Sequence, residues 1–337
     1  MVGTTGQRAL GVAAGLVLDR ALGEPPDRWH PVAWFGTVMG RLEEVLWRDD
    51  RGAGLVYAGV GAGLGAAAGA GLVAASRMLR GAAPAAEVLR GAAPVALAVG
   101  VAAAGRMLRG TSRTVEEHLL RDDLDAARET LPSLVGRDPS GLDASGVAAA
   151  VVESLAENTV DAVVAPAFWG LLAGAPGVLV HRAVNTMDAM VGRRDERYGR
   201  FGTAAARLDD VMAWVPARAM ALLVAGLAPD RAGDVRRLVA RDAPAHPSPN
   251  SGVAETAVAA ALGVELGGPL RYGGRVEDRP RLGDGPRPGP SDITRARRLV
   301  DRAELAVVAL CLAAAALSAT RGRDDRAAAP HTRRRPA

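Results

Sequence analysis

The chain has 337 residues, 49% of them hydrophobic but only 3% aromatic, with a net charge of +4. All 41 basic residues are arginine, which excludes a Walker A loop, a pyridoxal Schiff base and any lysine nucleophile, so bound phosphate must be met by arginine or by helix N-termini. Cys311 stands alone, so no intrachain disulfide exists and a structural zinc site is disfavoured; arginines set beside apolar runs suit membrane flanks rather than a nucleic-acid surface.

Residues 9–22 are apolar but short, and Asp19 and Arg20 fall where a secretory leader should end. The segment reads as a retained helix, partly embedded, with Asp19 toward the bundle. Gly23-Glu24-Pro25-Pro26 ends it and opens a loop carrying Arg28-Trp29-His30-Pro31. Residues 52–75 hold no charge and read as the clearest membrane span. Their glycines at 59, 61, 63, 65, 69 and 71 form small-xxx-small pairs that permit close helix approach. The same glycines never complete a G-x-G-x-x-G loop. A turn at 81–84 and a short span at 91–105 are expected to complete a helical hairpin.

Residues 114–131 form an amphipathic, heavily charged helix, broken by Pro132, Gly136 and Pro139-Ser140-Gly141. The next helix, from about Ser145, carries Glu153, Glu157 and then Asp161 at four-residue spacing, stacked on one face if the helix is continuous. That spacing also describes the wet side of an amphipathic helix for Glu153 and Glu157. Asp161 leads into an apolar run, where an ionisable group is a functional candidate. Asn185 and Asp188 recur at i, i+3, and Asp209-Asp210 precede Trp214. Residues 159–180 and 211–227 are apolar but contain Asp161, Pro166, Pro176, Pro216 and Arg218, which predicts broken helices lining a polar cavity.

Residues 243–252 read as a loop before a helix over 253–262. There Asn250 and Ser251 either present backbone N–H groups to phosphate or form an ordinary cap, with Glu255 serving the helix dipole. An irregular loop over 267–290, a helix capped by Asp292 and continuing into apolar 305–319, and a disordered arginine-rich tail over 321–337 follow. The fold expected is all-α: a polytopic helical membrane protein with broken, cavity-lining helices and amphipathic helices on the cytoplasmic side, residues 1–320 forming one integral-membrane domain. Arginine-rich loops over 106–158 and 229–304 place themselves on the cytoplasmic side, but the basic tail, one span further on, conflicts with that assignment. Carboxylates beside arginines in such a cavity suit a divalent cation with phosphate ligands.

The runs E-S-L-A-E-N-T-V-D-A-V-V-A-P-A-F-W, R-A-V-N-T-M-D-A-M-V-G, E-R-Y-G-R-F-G and A-A-R-L-D-D strongly resemble the adenosylcobinamide-phosphate synthase family of cobalamin biosynthesis. L-D-R-A-L-G-E-P, the H-P-V at 30–32 and H-P-S-P-N-S-G at 246–252 extend the resemblance over roughly residues 10–320. The family usually has Asp where this chain has Glu24. The resemblance implies a multi-pass protein of the cell membrane, active at its cytoplasmic side and in contact with lipid. Its reaction would join (R)-1-amino-2-propanol O-phosphate to a propionate of adenosylcobyric acid, with ATP as co-substrate and Mg²⁺ as the inferred metal.

On this reading Glu157, Asp161 and Asp188 are the leading metal ligands or bases, with Asp209 and Asp210 as further metal candidates. Arg182, Arg197, Arg207 and Arg218 are clamps for phosphate or propionate. Asn158, Asn185, Asn250, Ser251 and His30 contact substrate, while Arg193 and Arg194 flank the membrane. Other corrinoid-pathway enzymes are possible partners; nucleic acid is not. A transporter or non-catalytic scaffold for corrinoid assembly shares the intramembrane charges and the broken helices, but no repeat relates the two halves of the chain.

Overall fold

A hydrocarbon layer about 30 Å thick needs about 20 apolar residues to cross as a helix. Five stretches meet that requirement in the computed structural model: Arg51–Arg77, Ala86–Leu120, Ala144–Val191, Thr203–Leu227 and Pro290–Arg321. The chain is thus a multi-pass, all-helical membrane protein. The structure describes residues 3–78, 84–136, 138–193, 195–268, 270–272, 275–277 and 279–328. The expected turn at 81–83, Arg194 and the tail from 329 onward lie outside the described residues.

Helix α1 (Thr4–Leu22) leads through a short loop to α2 (Pro31–Leu46), and α3 (Arg51–Arg77) begins at Asp50, whose side chain caps Ala53 N. Glycines at four-residue spacing then choose the partners. On α1, a methyl group at Gly15 would lie 2.7 Å from the carbonyl oxygen of Ala96 on α4 (Pro84–Ala102). On α3, one at Gly65 would lie 2.6 Å from the carbonyl oxygen of Leu179 on α8 (Ala165–Val191), whereas Gly59, Gly63 and Gly71 face open space. The glycine stripe therefore does bring helices close, but α3 lies along α8 and α4 lies along α1. The expected α3–α4 hairpin is secondary to these pairings, because the small-residue faces point elsewhere.

The expected helix over 114–131 is two helices, α5 (Gly105–Leu120) and α6 (Leu124–Thr130), separated by a turn in which Asp122 takes φ 58°. Helix α7 (Ala144–Thr159) passes into one wide π turn, Val160–Val164, before α8. Helix α8 itself bends at Gly174, which adopts φ 69°. Pro176 has no N–H to offer the Leu172 carbonyl, and Arg8 from α1 donates to it at 2.7 Å. α9 (Thr203–Leu227) returns along α8, with Trp169 Nε1 donating to Met212 O at 3.1 Å.

The amphipathic α10 (Ala232–Asp242) and the apolar α11 (Ser251–Leu262) pack outside the spans. The stretch expected to be an irregular loop contains two small antiparallel ladders, Leu266–Gly267 (β1) with Arg281–Leu282 (β4) and Leu270–Tyr272 (β2) with Arg275–Glu277 (β3). α12 (Pro290–Ala328) is one long helix, so the first part of the expected disordered tail is helical. Its first half closes a core with α5, α7, α9, α10 and α11, and its second half joins α1, α4 and α8. A third core, around Tyr57, Met187 and Phe201, lies among α2, α3, α8 and α9.

Charges between α1, α5 and α12 are paired. Arg20 meets Asp301 at 2.6 Å, Arg297 meets Glu116 at 2.6 Å, and Arg109 bonds the buried Glu304. Asp19 turns into the bundle, as expected, and accepts from Arg106 N at 3.1 Å.

Candidate active site

The acidic stripe does not run straight. An α-helix that becomes a π turn gains a residue per turn, which rotates everything beyond it. Asp161 stands on that turn and accepts from Asn185 of α8, while Glu157 remains among the charges acting on it. Glu153 is buried at 4% exposure, and its Oε1 accepts from Gly267 N at 2.8 Å; it supports the β1 ladder and is not the wet face of a helix. Glu157 accepts from Ser251 Oγ at 2.7 Å, tying α7 to the first turn of α11.

Asn185 is the hub. Its Nδ2 donates to Asp161 Oδ2 at 3.1 Å and to Asp209 Oδ1 at 3.4 Å, while its Oδ1 accepts from Arg182 at 3.3 Å. Two carboxylates from different elements thereby face one amide nitrogen, with a cation behind it. Arg182 keeps its buried Nε without a hydrogen-bond partner and feels the charges of Glu24 and Asp161. Asp161 also senses Glu157 and Asp188; Asp188 senses Asp210 and Glu157; Asp209 senses Asp161, Asp188 and Asp210. The acidic residues are thus mutual neighbours, although their chain positions span more than fifty residues.

Among the described residues no three of His, Cys, Asp and Glu converge as a ready-made metal cage. The five carboxylates read from sequence are too dispersed to act as one chelate. Mg²⁺, however, commonly takes only one or two protein carboxylates and completes its shell with water and substrate phosphate. Asp161 and Asp209 supply that number of hard oxygen donors at one point, so the residues fit the ion.

A second polar chain leaves the cluster on its α11 side. Asn250 Nδ2 donates to the Asp210 carbonyl at 2.8 Å, and its Oδ1 accepts from Arg218 at 3.0 Å, with Arg218 lying 4.3 Å over the Trp214 ring. Asn250 therefore commits its side chain between helices and makes no side-chain cap to α11. Glu255 does not sit in the first turn of α11; it is buried, with Oε2 3.8 Å from His246 Nε2.

Other expected residues stand apart. Asn158 turns back onto its own helix, donating to Ser154 O at 2.9 Å. His30 caps α2 by accepting from Val32 N at 3.2 Å. Arg197 pairs with Glu43 at 2.9 Å and stacks over Trp47, a brace between α2 and the segment after α8. Arg207 is exposed on α9, and Arg193 stacks over Tyr198.

His246 was not among the sequence-derived site residues, although it heads one of the motifs quoted above. It is buried, its Nδ1 lies 3.1 Å from both N and O of Ser248, and its Nε2 has no hydrogen-bond partner. A histidine followed closely by two prolines and an asparagine was the available signal.

Residues 12–300 match the family model described as CobD/Cbib protein. The chain is 46% identical over 310 residues to "Cobalamin biosynthesis protein CobD" of Mycobacterium tuberculosis (strain ATCC 25618 / H37Rv), covering 90% of this chain and 96% of that protein. The protein of the same name from Chromobacterium violaceum is 43% identical over 309 residues (92% and 97%), and that from Rhodobacter capsulatus 38% over 315 (87% and 92%). No solved structure was found to match the chain. With a family match over most of its length and relatives well above 30% identity, this chain is a member of the CobD/Cbib family, with a role in cobalamin biosynthesis.

Proposed function

We propose that the chain converts adenosylcobyric acid to adenosylcobinamide phosphate, forming an amide between a corrin propionate and (R)-1-amino-2-propanol O-phosphate with consumption of ATP. A carboxylate does not condense with an amine unaided. The propionate oxygen attacks the γ-phosphorus, ADP leaves, and the amine nitrogen then attacks the acyl carbon as the C–O bond to phosphate breaks. The observation carrying this reading is the pair Asp161 and Asp209 set against one amide nitrogen of Asn185, with Arg182 behind it.

Asp161 and Asp209 hold Mg²⁺ on this reading, and neutralisation of phosphoryl charge is the chemistry that ion supplies when bound. Arg182 orients Asn185 and offers its unpartnered Nε to a phosphate oxygen. Asp188, which feels the charges of Asp210 and Glu157, takes the proton released by the amine on this reading. Ser251 fixes Glu157 at the base of α11. On this reading the reaction faces the cytoplasm, the side favoured by the arginine-rich chain that connects the spans, and residues 1–320 act as one integral-membrane unit.

The test is direct: purified protein with ATP, Mg²⁺, adenosylcobyric acid and aminopropanol phosphate, followed by product mass and ADP release. Product and ADP in equal amounts support the ligase. Corrinoid binding with neither product nor ADP would favour a transporter or scaffold instead.

A further inference from the structure

A cavity of about 880 Å³ opens between the second half of α9 and α10. Its walls are largely apolar, with Ala221, Leu222 and Ala225 on one side and Val235 and Val239 on the other. Three polar groups break that lining: Arg218, Arg236 and His246. Arg218 is the end of the hydrogen-bonded chain from the Asp210 carbonyl through Asn250, which links the cavity wall to the helix that carries Asp209 and Asp210. His246 Nε2 is a buried atom without a hydrogen-bond partner, 3.8 Å from Glu255 Oε2, while Nδ1 is committed to Ser248.

We propose that this cavity seats the corrin macrocycle, with Arg218 meeting the carboxylate that is to be amidated. The proposal rests on the function proposed above and assigns its larger substrate a place. Size and lining choose among the reactants. Ligand cavities run from about 300 to 1,000 Å³, and this one is near the top of that range, far beyond what a small amino-alcohol phosphate fills. A nucleotide triphosphate calls for a mostly polar bed, whereas a largely apolar bed broken by two arginines suits a flat macrocycle carrying carboxylate and amide arms. Arg218 would then hold that arm at the edge of the cluster that activates it.

The test uses full-length protein in detergent and cobyric acid as the probe, with affinity measured by ultrafiltration and corrinoid absorbance. Ala225→Trp fills one wall and Val239→Trp the other; each should weaken cobyric acid binding more than tenfold while Mg²⁺–ATP binding holds. Arg218→Gln should weaken cobyric acid at least tenfold yet spare the corrinoid in which that carboxylate is already a primary amide. Two folded fill-in variants with unchanged corrinoid affinity would overturn the assignment, as would release of co-purified lipid without loss of corrinoid binding. Equal loss of the acid and amide corrinoids in Arg218→Gln would overturn the role of Arg218. If the unaltered chain binds no cobyric acid, it is the proposed function that fails.

Discussion

Two groups of charges sit between the helices of this molecule under opposite arrangements. Where α1, α5 and α12 meet, each of Asp301, Glu304 and Glu116 has an arginine within bonding distance. Where the π turn, α8 and α9 meet, Glu157, Asp161, Asp188 and Asp209 make no ion pair among the described residues, and Asp161 and Asp209 share a neutral amide. Pairing is what a fold does with charges it must bury, since an uncompensated buried charge is costly. Crowding of like charges gains the fold nothing and marks a place prepared for a positive partner brought from outside. The first group is therefore structural and the second functional, and substitutions should sort them.

The sharpest contrast comes from neutralising one carboxylate in each group. Glu304→Gln leaves Arg109 without its buried partner and should cost about 3–5 kcal/mol, read as a large fall in thermal midpoint in detergent. Asp161→Asn should leave that midpoint unchanged or raised while turnover drops by about two orders of magnitude or more, equivalent to at least about 2.7 kcal/mol of barrier. Loss of folding in Asp161→Asn with normal turnover per folded molecule would erase the distinction.

A finer version tests whether Asp188 belongs with the crowded group. Asp188→Asn should fold normally and require severalfold more Mg²⁺ for half-maximal rate, or lose turnover outright. An unaltered Mg²⁺ titration and rate would remove it from the site. Within the paired group, depth should set the cost. Arg20→Gln breaks a contact whose members are 37% and 27% exposed, so solvent screening should hold the loss to about 1 kcal/mol, well below that of Glu304→Gln.

The smallest effect concerns the buried His246. Burial, the largest influence on it, holds its imidazole below the ordinary value of about 6.5. The unfolded chain therefore binds the proton first as pH falls. The stability contributed by neutral His246 is complete above about pH 6.5 and declines below it toward the folded value. A slight acid-side fall in thermal midpoint that His246→Gln flattens is expected; a fall of the same size in that variant would assign it to other groups.

Much of this was readable from residues in order. The carboxylates at Asp161, Asp188 and Asp209 announced a polar centre in apolar chain, and the glycines of α3 announced close packing. What spacing could not report was rotation and distance. Four-residue spacing assumes an unbroken α-helix, and the π turn at Val160–Val164 has no compositional mark, so spacing alone does not report that Asp161 stands on a wider turn than Glu153 and Glu157. Glu153 looked solvated because its partner, Gly267 N, is 114 positions away. Arg197 and His30 are chemically plausible ligands that the fold uses as a brace and a cap. A side chain's availability depends on contacts that periodicity does not encode.

The kink at Gly174 also bears on how the protein is made. The Leu172 carbonyl there is served by Arg8, so α1 must be in place for α8 to take its bent form. Yet α1 is itself incomplete until α12 arrives, as the bond from Gly3 N to Ser318 Oγ spans 315 positions. At synthesis rates of about 5–20 residues per second, that interval is roughly 15–60 s. During that interval an early helix, already delivered to the bilayer and paired with α4, waits with its α12-facing side uncovered. Premature chain termination anywhere before α12 should therefore yield products that insertion-quality proteases clear, rather than partly active fragments.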